Sequence, residues 1–310
     1  MNELNRVDIK RIKDILKQKL LKRMSGPGDY PTAIKGLSLH RRDAVNKPEN
    51  CFYSPKIVKI VQGCKHSSFG SDSFAYGEDE VLVAGMDMPN TSVITEACPE
   101  KPCMSMVIEL DQSIIAQLAA DIHLKKMNSS TRGLLIQKAE PELLDAFLRL
   151  EELMDKPEQI SVMAPMIIRE IYYLLLIGPN GHQLCSFHVQ GSQRYQIARA
   201  TAWLRRNFHK SMQVDKLADM FNMAPSTFHK HFKEITTLSP LQFQKRLRLH
   251  EAKILMISQN YDCGEACQAV GYESLTQFNR EYKRLFGEPP HRDIRRRHEA
   301  DDGFSDLRVF

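Results

Sequence analysis

At 310 residues the chain is about twice the usual domain length, so two hydrophobic cores are expected. Its seven cysteines are odd in number and scattered, which argues against a disulfide framework and for a reducing cytoplasm. The net charge of +5 is unevenly placed: residues 193 to 297 carry 19 Lys/Arg against 10 Asp/Glu, whereas residues 1 to 192 carry 23 against 24, pointing the basic part at an anionic polymer.

In residues 1 to 25, Leu4, Ile9, Ile12, Leu16 and Leu20 recur among lysines, the pattern of an amphipathic helix and not of a signal peptide. No run approaches the roughly 18 uninterrupted apolar residues of a membrane span; the nearest, Ile171 to Ile177, is much shorter, and no membrane partner is expected.

From Cys51 to Leu110, short β-rich runs (Ile57 to Val61, Val81 to Ala84, Thr91 to Thr95, Met104 to Leu110) alternate with Gly, Pro, Asn and Asp clusters. Met104, Met106, Ile108 and Leu110 share one face, which predicts a strand with one buried side in a small barrel or sandwich. After Asp111, a candidate N-cap, the period becomes helical: Ile114, Ile115, Leu118 and Ile122 mark one helix, and Pro141 to Asp155 another. The second presents Leu144, Phe147, Leu148 and Met154 either to its own barrel or to a second subunit. Ile160 to Ile177 is apolar nearly all round, expected to be broken at Pro165 and stopped by Gly178-Pro179-Asn180-Gly181. Gly181 to Ser192 reads as a linker, and everything beyond as helix.

The C-terminal third contains a repeat. Leu217-Ala218, Phe221, Asn222, Phe228, Phe232 and Lys233 recur as Ala266-Cys267, Val270, Gly271, Phe278, Tyr282 and Lys283, at an offset of 49 that becomes 50 after the turn. Each copy is a short amphipathic helix, a turn whose residue (Asn222 or Gly271) tolerates left-handed angles, and a second helix. In the first copy Phe228, Phe232 and Ile235 should face inward, leaving Ser226, Thr227, Lys230 and Lys233 outward and His229 at the side. In the second, Leu275, Phe278, Tyr282 and Leu285 should face the core, turning Thr276, Gln277, Arg280 and Arg284 out. These are groups that bind phosphates or read base edges. Pro240 to Ile257 reads as one helix of roughly 27 Å at 1.5 Å per residue, a spacer suited to recognition helices that meet successive major grooves about 34 Å apart.

Residues 195 to 297 thus resemble the DNA-binding domain of the AraC/XylS-type transcription regulators, on Ala218, Ser226 to Lys233, Ser239-Pro240, Arg246, Arg248, Ala252, Leu255, Gly271-Tyr272-Glu273-Ser274, Phe278, Arg280, Phe286-Gly287 and Pro289. Three features depart from that pattern. Lys230 stands where Arg is usual, Thr237 where Gly is usual, and His291 to Arg297 is a basic stretch expected either to touch phosphates or to be disordered. Tyr53-x-Pro55, Gln62-Gly63-x-Lys65, Phe74-x-Tyr76 and Asp87-x-Pro89 are similar to the N-terminal domain of one branch of these regulators.

The resemblance implies an α+β chain: a cupin-like small β-barrel with helices for effector binding and dimerisation (26 to 187), a linker (188 to 194), an all-α double helix-turn-helix domain whose units are joined by a long helix (195 to 297), and a polar tail (298 to 310). It implies a cytoplasmic activator that binds double-stranded DNA as a homodimer, responds to a small-molecule effector and recruits RNA polymerase. DNA contacts are expected from Ser226, Thr227, His229, Lys230, Lys233, Arg246, Ser274, Thr276, Gln277, Arg280, Lys283 and Arg284.

Phe52, Tyr53, Phe74, Tyr76, Met86 and Met88 either line an apolar effector pocket or form plain core. Cys98 and Cys103, near Lys101, are either a thiol sensor or an ordinary reduced pair, and Cys263 and Cys267 read as buried small hydrophobes. His40, His66 and His123 are isolated, so no metal or other cofactor is expected. No phosphate-binding glycine loop or hydrolase elbow is found, and Pro102-Cys103 is only a fragment of an alkyl-transfer motif, so an enzyme is not expected. The competing reading is a regulator whose front domain binds a protein or senses electrophiles or oxidants through its cysteines.

Overall fold

The computed structural model describes residues 3–70, 72–122, 133–189 and 191–299; His123 and the tail beyond 299 lie outside them. Helix α1 (Glu3–Arg23) leads into strands β1 (Gly28–Pro31), β2 (Leu37–Arg42), β3 (Glu49–Tyr53), β4 (Lys56–Gln62), β5 (Cys64–Phe69), β6 (Asp72–Tyr76), β7 (Glu80–Ala84), β8 (Met88–Glu96) and β9 (Cys103–Glu109). After α2 (Gln112–Asp121) and β10 (Leu134–Lys138) the chain is helical: α3 (Pro141–Leu153), α4 (Pro157–Ile177), α5 (Gly181–Ser186), α6 (Gln193–Asn207), α7 (Val214–Met220), α8 (Pro225–Thr236), α9 (Pro240–Ser258), α10 (Cys263–Ala269), α11 (Leu275–Phe286) and α12 (Pro290–Glu299). Sheet-rich front and helical back give the expected α+β class.

The strands form two antiparallel sheets, ordered β1-β2-β9-β4-β7-β10 and β3-β8-β5-β6. The larger sheet is buried on both faces, which corrects the expectation of one buried side for β9. Met104, Met106 and Ile108 pack with Leu16 and Leu20 of α1 and with α3 and α4. Val107, with Val58, Ile60 and Leu82, fills the space between the sheets, and Ser105 is buried as well. Period-two alternation distinguishes two faces but does not say how many are covered. Asp111 caps α2 as expected, accepting from the Ser113 and Ile114 amides.

Pro165 does not break α4. A proline inside a helix costs about 3 kcal/mol, but Ile167, Ile171, Leu175 and Leu176 are all buried, and each such aliphatic side chain stabilises by about 1.5–3 kcal/mol. Packing therefore wins. By length and mean hydropathy (1.7) Pro157–Ile177 is also apolar enough to cross a bilayer, contrary to the sequence expectation, yet it packs here on α3 and the larger sheet. Leu144, Phe147 and Leu148 of α3 are buried in their own domain, which removes them as a subunit contact. The segment read as a linker contains α5, and Phe187 and His188 are buried.

Candidate nucleic-acid interface

Two helix-turn-helix units, α7–α8 and α10–α11, flank the spacer α9. The turn residues behave as their chemistry requires: Asn222 (φ 54°) and Gly271 (φ 83°) are both left-handed. At Gly271 no side chain fits, since a Cβ would stand 2.2 Å from the His209 carbonyl oxygen. Ser239 with Gln242 and Asp262 with Glu265 form capping boxes that start α9 and α10, and Ser274 caps α11.

Phe228, Phe232, Phe278 and Tyr282 are fully buried, forming the inner faces of α8 and α11. The outer faces carry exposed Ser226, His229, Lys230 and Lys233 on α8, with Thr227 half-buried, and exposed Thr276, Gln277, Arg280, Lys283 and Arg284 on α11 behind exposed Ser274. Leu275 departs from expectation and is 45% exposed. As the first residue of α11 it has no preceding helical turn over which to fold its side chain.

Arg246 stands on the spacer α9 and not on a recognition helix. It is half-buried against the front domain, beside Asn50, Phe52, Pro89 and His250, and burial lowers its guanidinium pKa. The cavity there, about 10 Å³, has room for about one water. A basic residue on a helical period can face solvent, DNA or another domain, and the period alone does not choose.

Two residues that set the geometry were given no such role in the sequence reading. Arg248 of α9 donates to the carbonyl oxygens of Phe208 (2.7 Å), Lys210 (3.0 Å) and Gly271 (2.7 Å), tying the end of α6 to the turn of the second unit. Glu281 of α11 accepts from Lys245 (2.8 Å), Tyr272 (2.7 Å) and Gln277 (3.1 Å). Burial raises the Glu281 pKa, but these hydrogen bonds outweigh it and hold the carboxyl below its usual range. Arg248 was visible only as part of the family pattern, and Glu281 carried no signal because its partners lie on other elements.

The front domain touches the C-terminal ends of both recognition helices. Asn50 donates to the Leu285 carbonyl oxygen (2.7 Å), and Gly70, at the β5–β6 turn, lies against Thr237, which ends α8 at φ 61°. Phe52 packs on Phe243 of α9, and Arg205 of α6 pairs with buried Asp87 at 2.6 Å. Phe52 and Met86 therefore belong to a core shared with the DNA-binding half. Tyr53, Tyr76 and Met88 lie between the sheets, with both tyrosine hydroxyls 3.4 Å from Ser67 Oγ, and Phe74 is half-buried on β6. The six residues considered for one pocket are thus divided among different sites.

Cys98 is exposed in a turn closed by Lys101, whereas Cys103 is buried on β9, so the two thiols do not share an accessible surface. Cys267 is buried and Cys263 half-buried. His40 is held by Asp29 (2.6 Å) and Ser38 (2.9 Å), and His66 by Ser73 (3.0 Å). The basic stretch from His291 lies on α12, which is anchored by Asp293: its carboxylate pairs with buried Lys253 at 2.9 Å and accepts from Tyr282 at 2.8 Å.

Comparison with known proteins agrees with this arrangement. Residues 33–183 match the AraC-type transcriptional regulator N-terminus, and residues 217–296 match a helix-turn-helix domain. The chain is 26% identical over 138 residues to the HTH-type transcriptional activator RhaS of Pectobacterium carotovorum, covering 44% of this chain and 47% of that one. It is 23% identical over 198 residues to the virulence regulon transcriptional activator VirF of Yersinia enterocolitica, covering 62% and 72%. The chain thus spans about half the length of the RhaS relative. Among solved structures, unsaturated fatty acid-bound ToxT from Vibrio cholerae superposes with a TM-score of 0.57 at 10% identity, covering 83% of this chain and 94% of that one, a likeness of fold. With an AraC-type N-terminal domain ahead of two helix-turn-helix units on one spacer helix, this chain belongs to the AraC-type transcriptional regulators.

Proposed function

We propose that this regulator is a sequence-specific, small-molecule-responsive activator that binds double-stranded DNA through α8 and α11 in successive major grooves. The observation that carries the reading is the exposure of both outer faces on one frame: the N-terminal halves of α8 and α11, the part of a recognition helix that reaches base edges, stay open while the front domain holds their far ends. Gln277 and Arg280 are assigned to base edges, Lys233 and Lys283 to phosphates. Lys230, a point charge without the guanidinium fork, is assigned to phosphate as well. Activation is supported by the names of the RhaS and VirF relatives, both transcriptional activators; recruitment of RNA polymerase in the cytoplasm is what such activation would involve. Response to a small molecule is supported by the fatty acid bound to ToxT.

The homodimer is assigned to α4, whose outer stripe of Val162, Met166, Tyr173 and Ile177 is 43–64% exposed and recurs at helical spacing. The test of the whole reading is genome-wide binding in the source cell followed by gel shift of the recovered sites. Discrete sites bound at least ~10³-fold more tightly than random DNA are expected. Equal affinity for both would overturn sequence specificity.

A further inference from the structure

Between the front domain and the DNA-binding half lies an open cleft of about 460 Å³, within the range of small-molecule sites. Ser54, Pro55, Asp87, Glu109 and Leu110 form one wall; Ala202, Arg205, Arg206 and Phe208, from α6 and the residues after it, and Glu251 of α9 form the other. The charges do not simply cancel. Asp87 pairs with Arg205 at 2.6 Å across the domain boundary; it also feels the charge of Arg206, as Glu251 feels that of Arg205. Arg206 is left as an exposed cation, and Glu251 as a half-buried carboxylate with no hydrogen bond or ion pair among the described residues. Burial pushes the Glu251 carboxyl above its ordinary range, and the charge of Arg205 acts against that rise without cancelling it. Ser54, on the same wall, is 8% exposed, and its buried hydroxyl has no hydrogen-bond partner among the described residues.

A single cation would satisfy Glu251 but be repelled by Arg206, and a single anion the reverse. A molecule carrying both charges meets both, with Pro55, Leu110 and Phe208 supplying an apolar surface for its body. We propose that this interdomain cleft is the effector site and that it takes a small zwitterion of the amino-acid class, its ammonium group meeting Glu251 and its acidic group meeting Arg206. This inference rests on the small-molecule reading above and specifies its site and chemistry. Because the walls come from both halves of the chain, the ligand favours the conformation in which they are docked, and so couples occupancy to the placement of α8 and α11.

The test measures the melting temperature of the full chain against glycine, L-alanine, L-arginine and 5-aminovalerate, with pentylamine and pentanoate as singly charged controls. A zwitterion in the set is expected to raise the melting temperature by about 3 °C or more at saturation. That shift should vanish in both Glu251→Gln and Arg206→Gln, with neither control producing it. Circular dichroism establishes that each variant is folded, and Ala202→Trp, which fills the cleft without altering charge, should also abolish the shift. The proposal is overturned if no zwitterion shifts the wild-type chain, if a control shifts it equally, or if the shift survives in both charge variants. Gel shifts on the same preparations separate the two readings: specific DNA binding without any thermal shift removes the cleft proposal alone, whereas loss of specific DNA binding removes the regulator reading.

Discussion

Phe52 of the front domain and Phe243 of the spacer helix meet edge to face, with ring centroids 5.3 Å apart and planes at 89°. Phe243 in turn meets Phe232 of the first recognition helix at 5.4 Å, so one aromatic chain runs from the barrel to the DNA-reading element. Replacing Phe52 with Ala should cost about 3–5 kcal/mol, the usual range for a buried phenylalanine. The loss falls on the domain contact, because each half keeps its own core. Calorimetry should then resolve two transitions instead of one; a single transition moved to lower temperature would place the loss inside one domain.

Thr237 ends α8 in a left-handed conformation that costs a side-chain-bearing residue roughly 1–2 kcal/mol. Gly287 occupies the same position at the end of α11 without that cost. Thr237→Gly should therefore stabilise the chain by about 1 kcal/mol, read as a higher urea midpoint at unchanged slope. Gly70→Ala should act oppositely, since its methyl would stand 2.5 Å from a Thr237 methyl.

On DNA, Gln277→Ala or Arg280→Ala should lose roughly 1–3 kcal/mol and relax sequence preference at the second groove. Gln277 must first release Glu281, to which its amide is bound at 3.1 Å. Lys233→Ala or Lys283→Ala should mainly flatten the dependence of affinity on salt. Gel shifts across a salt series, on matched and mismatched sites, distinguish the two patterns.

The assignment of the dimer to α4 predicts that Met166→Asp halves the mass measured by sedimentation. Met166 is 60% exposed, so the melting temperature of the isolated subunit should stay nearly constant. An unchanged dimer would place the contact elsewhere.

Burial lowers the pKa of two histidines, His188 to about 4 and His250 to about 3, in the second case aided by the charges of Lys253, Arg205 and Lys56. Below the ordinary value of 6.5 the unfolded chain takes up protons that the folded chain refuses, so stability falls as pH drops from 6.5 toward 4. Each histidine contributes a slope of up to about 1.4 kcal/mol per pH unit. Urea midpoints between pH 7.5 and 5 should show this decline, and the double variant His188→Gln/His250→Gln should flatten it.

The helix-turn-helix units were legible in the sequence because what marks them is local: left-handed turns at Asn222 and Gly271, and aromatic residues one turn apart that turn the polar residues outward. The same holds for β4, β7, β8 and β9, though not for β5 and β6, and for the basic character of the C-terminal third. Tertiary structure alone decided which apolar face meets which partner. It sent Phe52 and Met86 to the domain boundary, half-buried Arg246 beside Phe52, covered both faces of β9, kept α4 continuous through Pro165 and left its outer stripe exposed. The physical reason is that periodicity fixes the direction of a side chain relative to its own element, while burial depends on what packs there from far along the chain. The cleft that gathers Ser54, Arg206 and Glu251 depends on that long-range packing in the same way.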